Sequence, residues 1–149
     1  MNAATLHQTL SQLGKGMATV AGVIASELYS CPTRDWLQND FGPALKRDLD
    51  RLGVAKYVPV RNDCTDFSLY SMALARLSHN LSTTAQSALA FGTVDYMHEV
   101  DGALPEGHRT NLAVVFENGV YVPVFFEPQL QQIITLTEEE LSSIRAYYI

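Results

Sequence analysis

The dipeptide Asn118-Gly119 lies between two runs rich in β-branched and aromatic residues, Thr110 to Phe116 and Val120 to Phe126. This pattern predicts a two-residue hairpin, because both central residues of such a turn take a positive φ that asparagine and glycine tolerate. It also fixes a register. With Asn118 and Gly119 as the loop, Thr110 faces Glu127 and His108 faces Gln129. Side chains alternate along a strand, so these four share a face and His108 and Glu127 become diagonal neighbours. Asn111 then points to the opposite face.

The remaining elements follow from periodicity and punctuation. Leu6, Leu10, Leu13, Met17, Val20, Ile24 and Leu28 recur at helical spacing and predict a helix over residues 3–28. Gly14, Gly16 and Gly22 weaken it, each by about 1 kcal/mol relative to alanine. A second helical region is expected over 34–52, with Pro43 in a first turn and Gly53 just past its end. Lys56 to Val60 reads as extended. The best helical run is 64–81, capped by Asp63, with Phe67, Tyr70, Leu74, Leu77 and Leu81 expected on its buried face. Strands are expected at 88–97, 110–116, 120–126 and 131–136. Thr137 and Glu140 form a capping box that starts a short C-terminal helix reaching Tyr148. Helices first and an antiparallel sheet afterwards make the class α+β.

Composition narrows the functions. The 149 residues suit one domain, 1–149, with 1–53 as a helical lead-in and 54–149 as the core that carries the chemistry. The net charge is −6 and the basic residues are interleaved with aspartates, which argues against nucleic acid. No apolar run is long enough to span a bilayer and none reads as a signal peptide, so no membrane partner and a cytoplasmic location are expected. Cys31 and Cys64 make no disulfide framework and no zinc motif. His98, Glu99, Asp101, Glu106 and His108 crowd one stretch, but their spacing matches no metal motif. No metal and no cofactor are expected.

Cys64 opens the 64–81 helix, where the helix dipole and free N–H groups favour the thiolate. A thiol nucleophile needs a base and a group that orients the base. His79 lies 15 residues further along the same helix, about 22 Å away at about 1.5 Å per residue, and cannot reach. His98, at the end of the first expected strand, remains a candidate, and His108, at the strand entry where a side chain can point back at a helix end, is favoured. Glu127 is its diagonal neighbour across the hairpin.

The stretches Asn-Asp-Cys-Thr-Asp-Phe-Ser (62–68), Gly-His-Arg-Thr-Asn (107–111) and Phe-Phe-Glu-Pro-Gln-Leu (125–130) resemble a pattern found in the papain-like superfamily. Its transglutaminase-like and NlpC-type cysteine hydrolases carry it, including small bacterial and bacteriophage members. The resemblance spans about residues 36–145. Thr65, Ser68 and Arg109 depart from the pattern. The resemblance implies a papain-like core: a helical N-terminal half, the Cys64 helix packed on an antiparallel sheet of about four strands, and a short C-terminal helix. It implies Cys64 as nucleophile, His108 as base and Glu127 as the group that orients it. Asn62 or Tyr57 would donate to an oxyanion, with Asn111 and Gln129 in support. The implied function is a cysteine-dependent amide or peptide hydrolase, or an acyltransferase, working through a thioester. Its substrate would be a peptide or protein amide, cell-wall peptide among them, reached by phage delivery or in a virion if need be. The alternative is a catalytically silent papain-like module that acts by protein–protein interaction. The oligomeric state is left open.

Overall fold

The computed structural model describes residues 1–13, 21–58, 63–82, 84, 86–98 and 104–149. Its elements in chain order are α1 (Ala3–Leu10), β1 (Ala21–Val23), β2 (Tyr29–Ser30), a π-helical turn (Trp36–Phe41), α2 (Gly42–Leu52), α3 (Cys64–Ser82), β3 (Ala88–Leu89), β4 (Phe91–His98), β5 (Glu106–Glu117), β6 (Val120–Glu127), β7 (Gln132–Ile134), α4 (Glu138–Ser142) and β8 (Ala146–Tyr148). Six strands form one sheet in the order β1-β8-β4-β5-β6-β7, antiparallel except for β1 beside β8. Strands β2 and β3 form a separate parallel pair.

The hairpin lies where Asn118-Gly119 puts it. Asn118 has φ 51° and Gly119 φ 83°, the two positive values that such a turn requires. Glu117 pairs with Val120 and Asn111 with Phe126. In the middle of β5, Leu112, Ala113, Val114 and Val115 are all buried. A continuous apolar run of this kind marks a strand covered on both faces. Leu112 and Val114 join α1, Ile144, Tyr147 and Ile149 on one side. Ala113 and Val115 join Phe41, Leu45, Phe67, Phe91 and Phe126 on the other.

Several expectations need correction. The sheet has six strands rather than four, and helices are few, so the expected papain-like core with a helical N-terminal half is not the architecture observed. The first helix stops at Leu10, and residues 21–23, expected in it, are strand. The glycines of that stretch and its β-branched residues favour the change. The C-terminal helix stops at Ser142. Beyond it, Ala146 to Tyr148 pair with Thr93 to Asp95. An aromatic run with an open sheet edge beside it makes a strand.

The buried face of α3 also differs. It consists of Phe67, Ser68, Ser71 and Ala75, while Leu77 and Leu81 are exposed. Small residues let the helix lie close against β4 and β5, and the bulkier leucines go to solvent. Close approach recurs at Gly92, where a Cβ would sit 1.9 Å from the Tyr148 carbonyl oxygen. Only glycine admits β8 at that position.

Candidate functional site

The site forms where the start of α3 meets the open end of the β5–β6 hairpin. Asp63 caps α3. Its Oδ1 accepts from the N–H groups of Thr65 (2.9 Å) and Asp66 (3.2 Å), and its own N–H donates to Asp66 Oδ2 at 3.3 Å. Cys64, half-buried, is the first residue of the helix. Ser68, one turn on, donates its hydroxyl to the carbonyls of Cys64 (2.7 Å) and Arg109 (2.9 Å). This ties the first turn of the helix to β5 beside His108.

His108 Nε2 donates to Glu127 Oε2 at 2.9 Å. A carboxylate only accepts, so in the neutral ring the lone pair sits on Nδ1. Glu127 is 6% exposed, and its second oxygen, Oε1, accepts the Gln129 N–H at 3.0 Å. Burying a carboxylate is costly unless both oxygens are used; here a ring and a backbone amide use them.

Two adjoining cavities share Tyr96 and His108. One, about 360 Å³, adds His98, Glu127, Gln129 and Glu140. The other, about 260 Å³, adds Cys64, Asp95, Arg109 and Arg145. Together they form one groove with Cys64 at one end and Glu127 and Glu140 at the other. Tyr96 stands edge-on to His108, its ring centre 5.5 Å away at 85°. Burial, aided by the nearby Glu140, Glu127 and Cys64, pushes the Tyr96 phenol well above the usual tyrosine range.

Of the residues singled out in the sequence, Cys64, His108, Glu127 and Gln129 line this groove. Tyr57 is 48% exposed and lines neither cavity. Asn62 lies outside the described residues. Asn111 is fully buried, and its amide donates to the carbonyls of Ser68 and Gly92, each at 2.9 Å. It braces α3 against the sheet rather than facing the groove. Glu99 and Asp101 lie outside the described residues. Among the described residues no group of three His, Cys, Asp or Glu side chains is placed to hold a metal ion.

Sequence reasoning missed Tyr96, Asp95, Arg145 and the groove role of Glu140, and weighed His98 only as a base or a metal ligand. His98 Nδ1 bonds Glu140 Oε1 at 2.7 Å. Glu140 completes the capping box of α4, its Oε2 accepting the Thr137 N–H at 2.9 Å. Asp95 holds Arg109 through both oxygens, at 2.5 and 2.7 Å. That bond, chiefly, raises the Arg109 guanidinium pKa further. Arg145 stands at the groove rim. The hairpin register alone could not reveal these residues, because β4, α4 and the turn into β8 bring them in. The capping box at Thr137 was visible, but not the second use of its glutamate.

No family model and no curated protein matches the chain. Solved structures do. A structure described as a "PSL1a-E64 complex" superposes with a TM-score of 0.74 at 20% identity, covering 100% of this chain and 51% of that one. A Polyporus squamosus lectin bound to the human-type influenza-binding epitope Neu5Acα2-6Galβ1-4GlcNAc gives a TM-score of 0.73 at 20% identity, with 100% and 49% covered. The chain thus spans about half the length of each. These neighbours correct the family expected from the sequence: the fold matched along the whole chain is one found in a structure described as a lectin. The expected cysteine hydrolase or acyltransferase falls with that family, as does its alternative, the silent papain-like module. The expected peptide or protein amide substrate, cell-wall peptide included, rested on that family and is withdrawn with it; the ligand described for the second structure is a glycan. Among the described residues no helix is long and apolar enough to cross a membrane. At this level of identity the likeness establishes the fold that this chain shares with those structures.

Proposed function

We propose that the chain is a binding module and that the Tyr96–His108 groove takes a carbohydrate. The observation that supports this most is the arrangement of planar polar groups in the larger cavity. The Glu127 and Glu140 carboxylates, the Gln129 amide and two imidazoles surround a space of about 360 Å³. Vicinal hydroxyls of a sugar offer paired donors and acceptors that match such groups, and a cavity of this kind fixes orientation with a few placed polar atoms. The glycan-bound lectin among the structural neighbours adds support at the level of fold. Calorimetric titration with Neu5Acα2-6Galβ1-4GlcNAc tests the reading. Saturable binding to the wild type that is lost in Glu127→Gln is expected. No heat of binding with this trisaccharide or its neutral core Galβ1-4GlcNAc would overturn it.

A specific observation favours a second reading of the same groove. Cys64 opens a helix and shares a cavity with His108, whose Nδ1 has no hydrogen-bond partner among the described residues while Glu127 holds Nε2. We propose Cys64, His108 and Glu127 as a reactive set in which His108 takes the thiol proton and Glu127 fixes the ring. Gln129, which lines the groove, is a supporting group, and Asn111 supports the set through its hold on α3; the expected oxyanion donors Asn62 and Tyr57 are not part of it. The pH dependence of Cys64 alkylation, in a Cys31→Ala background, tests this. A thiolate that forms below about pH 8.5 in the wild type, but only at higher pH in His108→Ala, supports the set. Identical profiles would exclude it.

We also propose that residues 1–149 work as one domain, because one core cluster joins Leu6 and Leu10 near the start of the chain to Tyr147 and Ile149 at its end, while the other packs the middle of the chain on the same sheet. Both cysteines are free thiols, which supports a reducing, cytoplasmic working place.

A further inference from the structure

Two neighbouring strands and the residue that leads into a third carry a row of charge beside Cys64. Asp95 on β4 lies directly across from Arg109 on β5, and on its other side pairs with Ala146 of β8. The Arg145 N–H donates to the Asp95 carbonyl at 2.9 Å. Asp95 therefore stands between two arginines with one carboxylate to offer. It gives both oxygens to Arg109. The Arg145 guanidinium is exposed and makes no hydrogen bond or ion pair among the described residues. It lines the cavity that holds Cys64 and His108. Two arginines against one aspartate leave this cavity with surplus positive charge in a chain whose net charge is −6. The N-terminus of the 19-residue α3 adds a dipole of the same sign. The Asp63 carboxylate near it is occupied with two helix N–H groups.

We propose that Arg145 makes the Cys64 end of the groove selective for a ligand that carries a carboxylate. The inference rests on the reading of this groove as a ligand site and names the charge of what enters it. A guanidinium offers a carboxylate two parallel N–H donors, and Arg145 is the arginine of the pair whose side-chain donors have no partner among the described residues.

The test uses Cys64 as the reporter, in full-length Cys31→Ala protein. Iodoacetate and iodoacetamide react with a thiolate in the same way: an S–C bond forms, the C–I bond breaks and iodide leaves. They differ in that one carries a carboxylate. Their rate ratio cancels the fraction of thiolate and reads the local charge. In Arg145→Gln the iodoacetate-to-iodoacetamide ratio is expected to fall about three- to fivefold, the scale of one exposed charge contact. Arg145→Lys should restore part of it, and about 1 M salt should remove the difference. A ratio unchanged in Arg145→Gln, or a Cys64 that reacts with neither reagent, would overturn the proposal. The alkylation ratio and the glycan titration fail separately. A normal ratio shift with no glycan bound would sink the carbohydrate reading alone, whereas glycan binding with an unchanged ratio would sink the role of Arg145 alone.

Discussion

The two ends of the β5–β6 hairpin share one ladder and differ in what they bury. Near the turn, Phe116 and Tyr121 pair ring against ring at 4.8 Å, half in solvent, and the stretch has only to hold two strands together. At the open end Thr110, Asn111 and Glu127 are polar and buried. Each costs free energy to desolvate unless it is bonded. Thr110 donates to the Phe126 carbonyl at 2.7 Å, Asn111 bridges two carbonyls, and Glu127 holds His108. A fold that needed only stability could have carried the apolar run to the end of both strands. Polar groups held in fixed positions at one end mark that end as the working one.

The largest effect that would sharpen this comparison comes from the core between the two ends. Phe126 is fully buried, 5.4 Å from the ring of Phe41 and 6.2 Å from that of Phe91. Phe126→Ala should cost about 3–5 kcal/mol in urea unfolding. Asn111→Ala comes next. It removes the amide that bonds the carbonyls of Ser68 and Gly92 and should cost about 1–3 kcal/mol in all. It should also slow Cys64 alkylation, because α3 loses its brace, whereas Phe126→Ala should alter stability first. Equal effects of the two variants on alkylation would break the distinction between packing and placement.

High pH separates the ends by charge. The Tyr96 phenol is raised in the folded protein, so its contribution to stability is complete below about pH 10, the value for an unfolded tyrosine. That contribution is lost as pH rises above it, since the unfolded chain ionises first. Tyr70 and Tyr147 are raised as well, chiefly by burial. Tyr96→Phe should therefore flatten part of the alkaline fall in unfolding free energy, and an unchanged slope would place Tyr96 in a wetter setting. The smallest effect belongs to the turn. Phe116→Ala should cost about 1 kcal/mol or less, with alkylation of Cys64 unaltered.

What the sequence made legible is local. Asn118-Gly119 determined the turn and the pairing, and through them the meeting of His108 with Glu127. Asp63 marked the start of α3. Long-range assembly was not legible. Tyr147 and Tyr148 look like the end of a helix until β4 is beside them. Leu77 and Leu81 look like core until Ser68 and Ser71 bring α3 close to the sheet. Asp95, Tyr96, His98 and Arg145 enter the groove only because β4 lies between β5 and β8, and no motif announces that. The motif resemblance failed for a related reason. Short stretches around a cysteine, a histidine and a glutamate describe a local arrangement, while the matched fold depends on how six strands are ordered.

The most direct test of the groove as a carbohydrate site uses the four histidines of the chain. His98 and His108 line the groove; His7 is on α1 and His79 bonds the Ser87 carbonyl on the far part of α3. Imidazole carbon–proton NMR spectra recorded while the trisaccharide is added should show His98 and His108 shifting together and saturating, with His7 and His79 still. In Glu127→Gln the His108 response should vanish. Four unmoved histidines, or a shift confined to His7 or His79, would contradict the account.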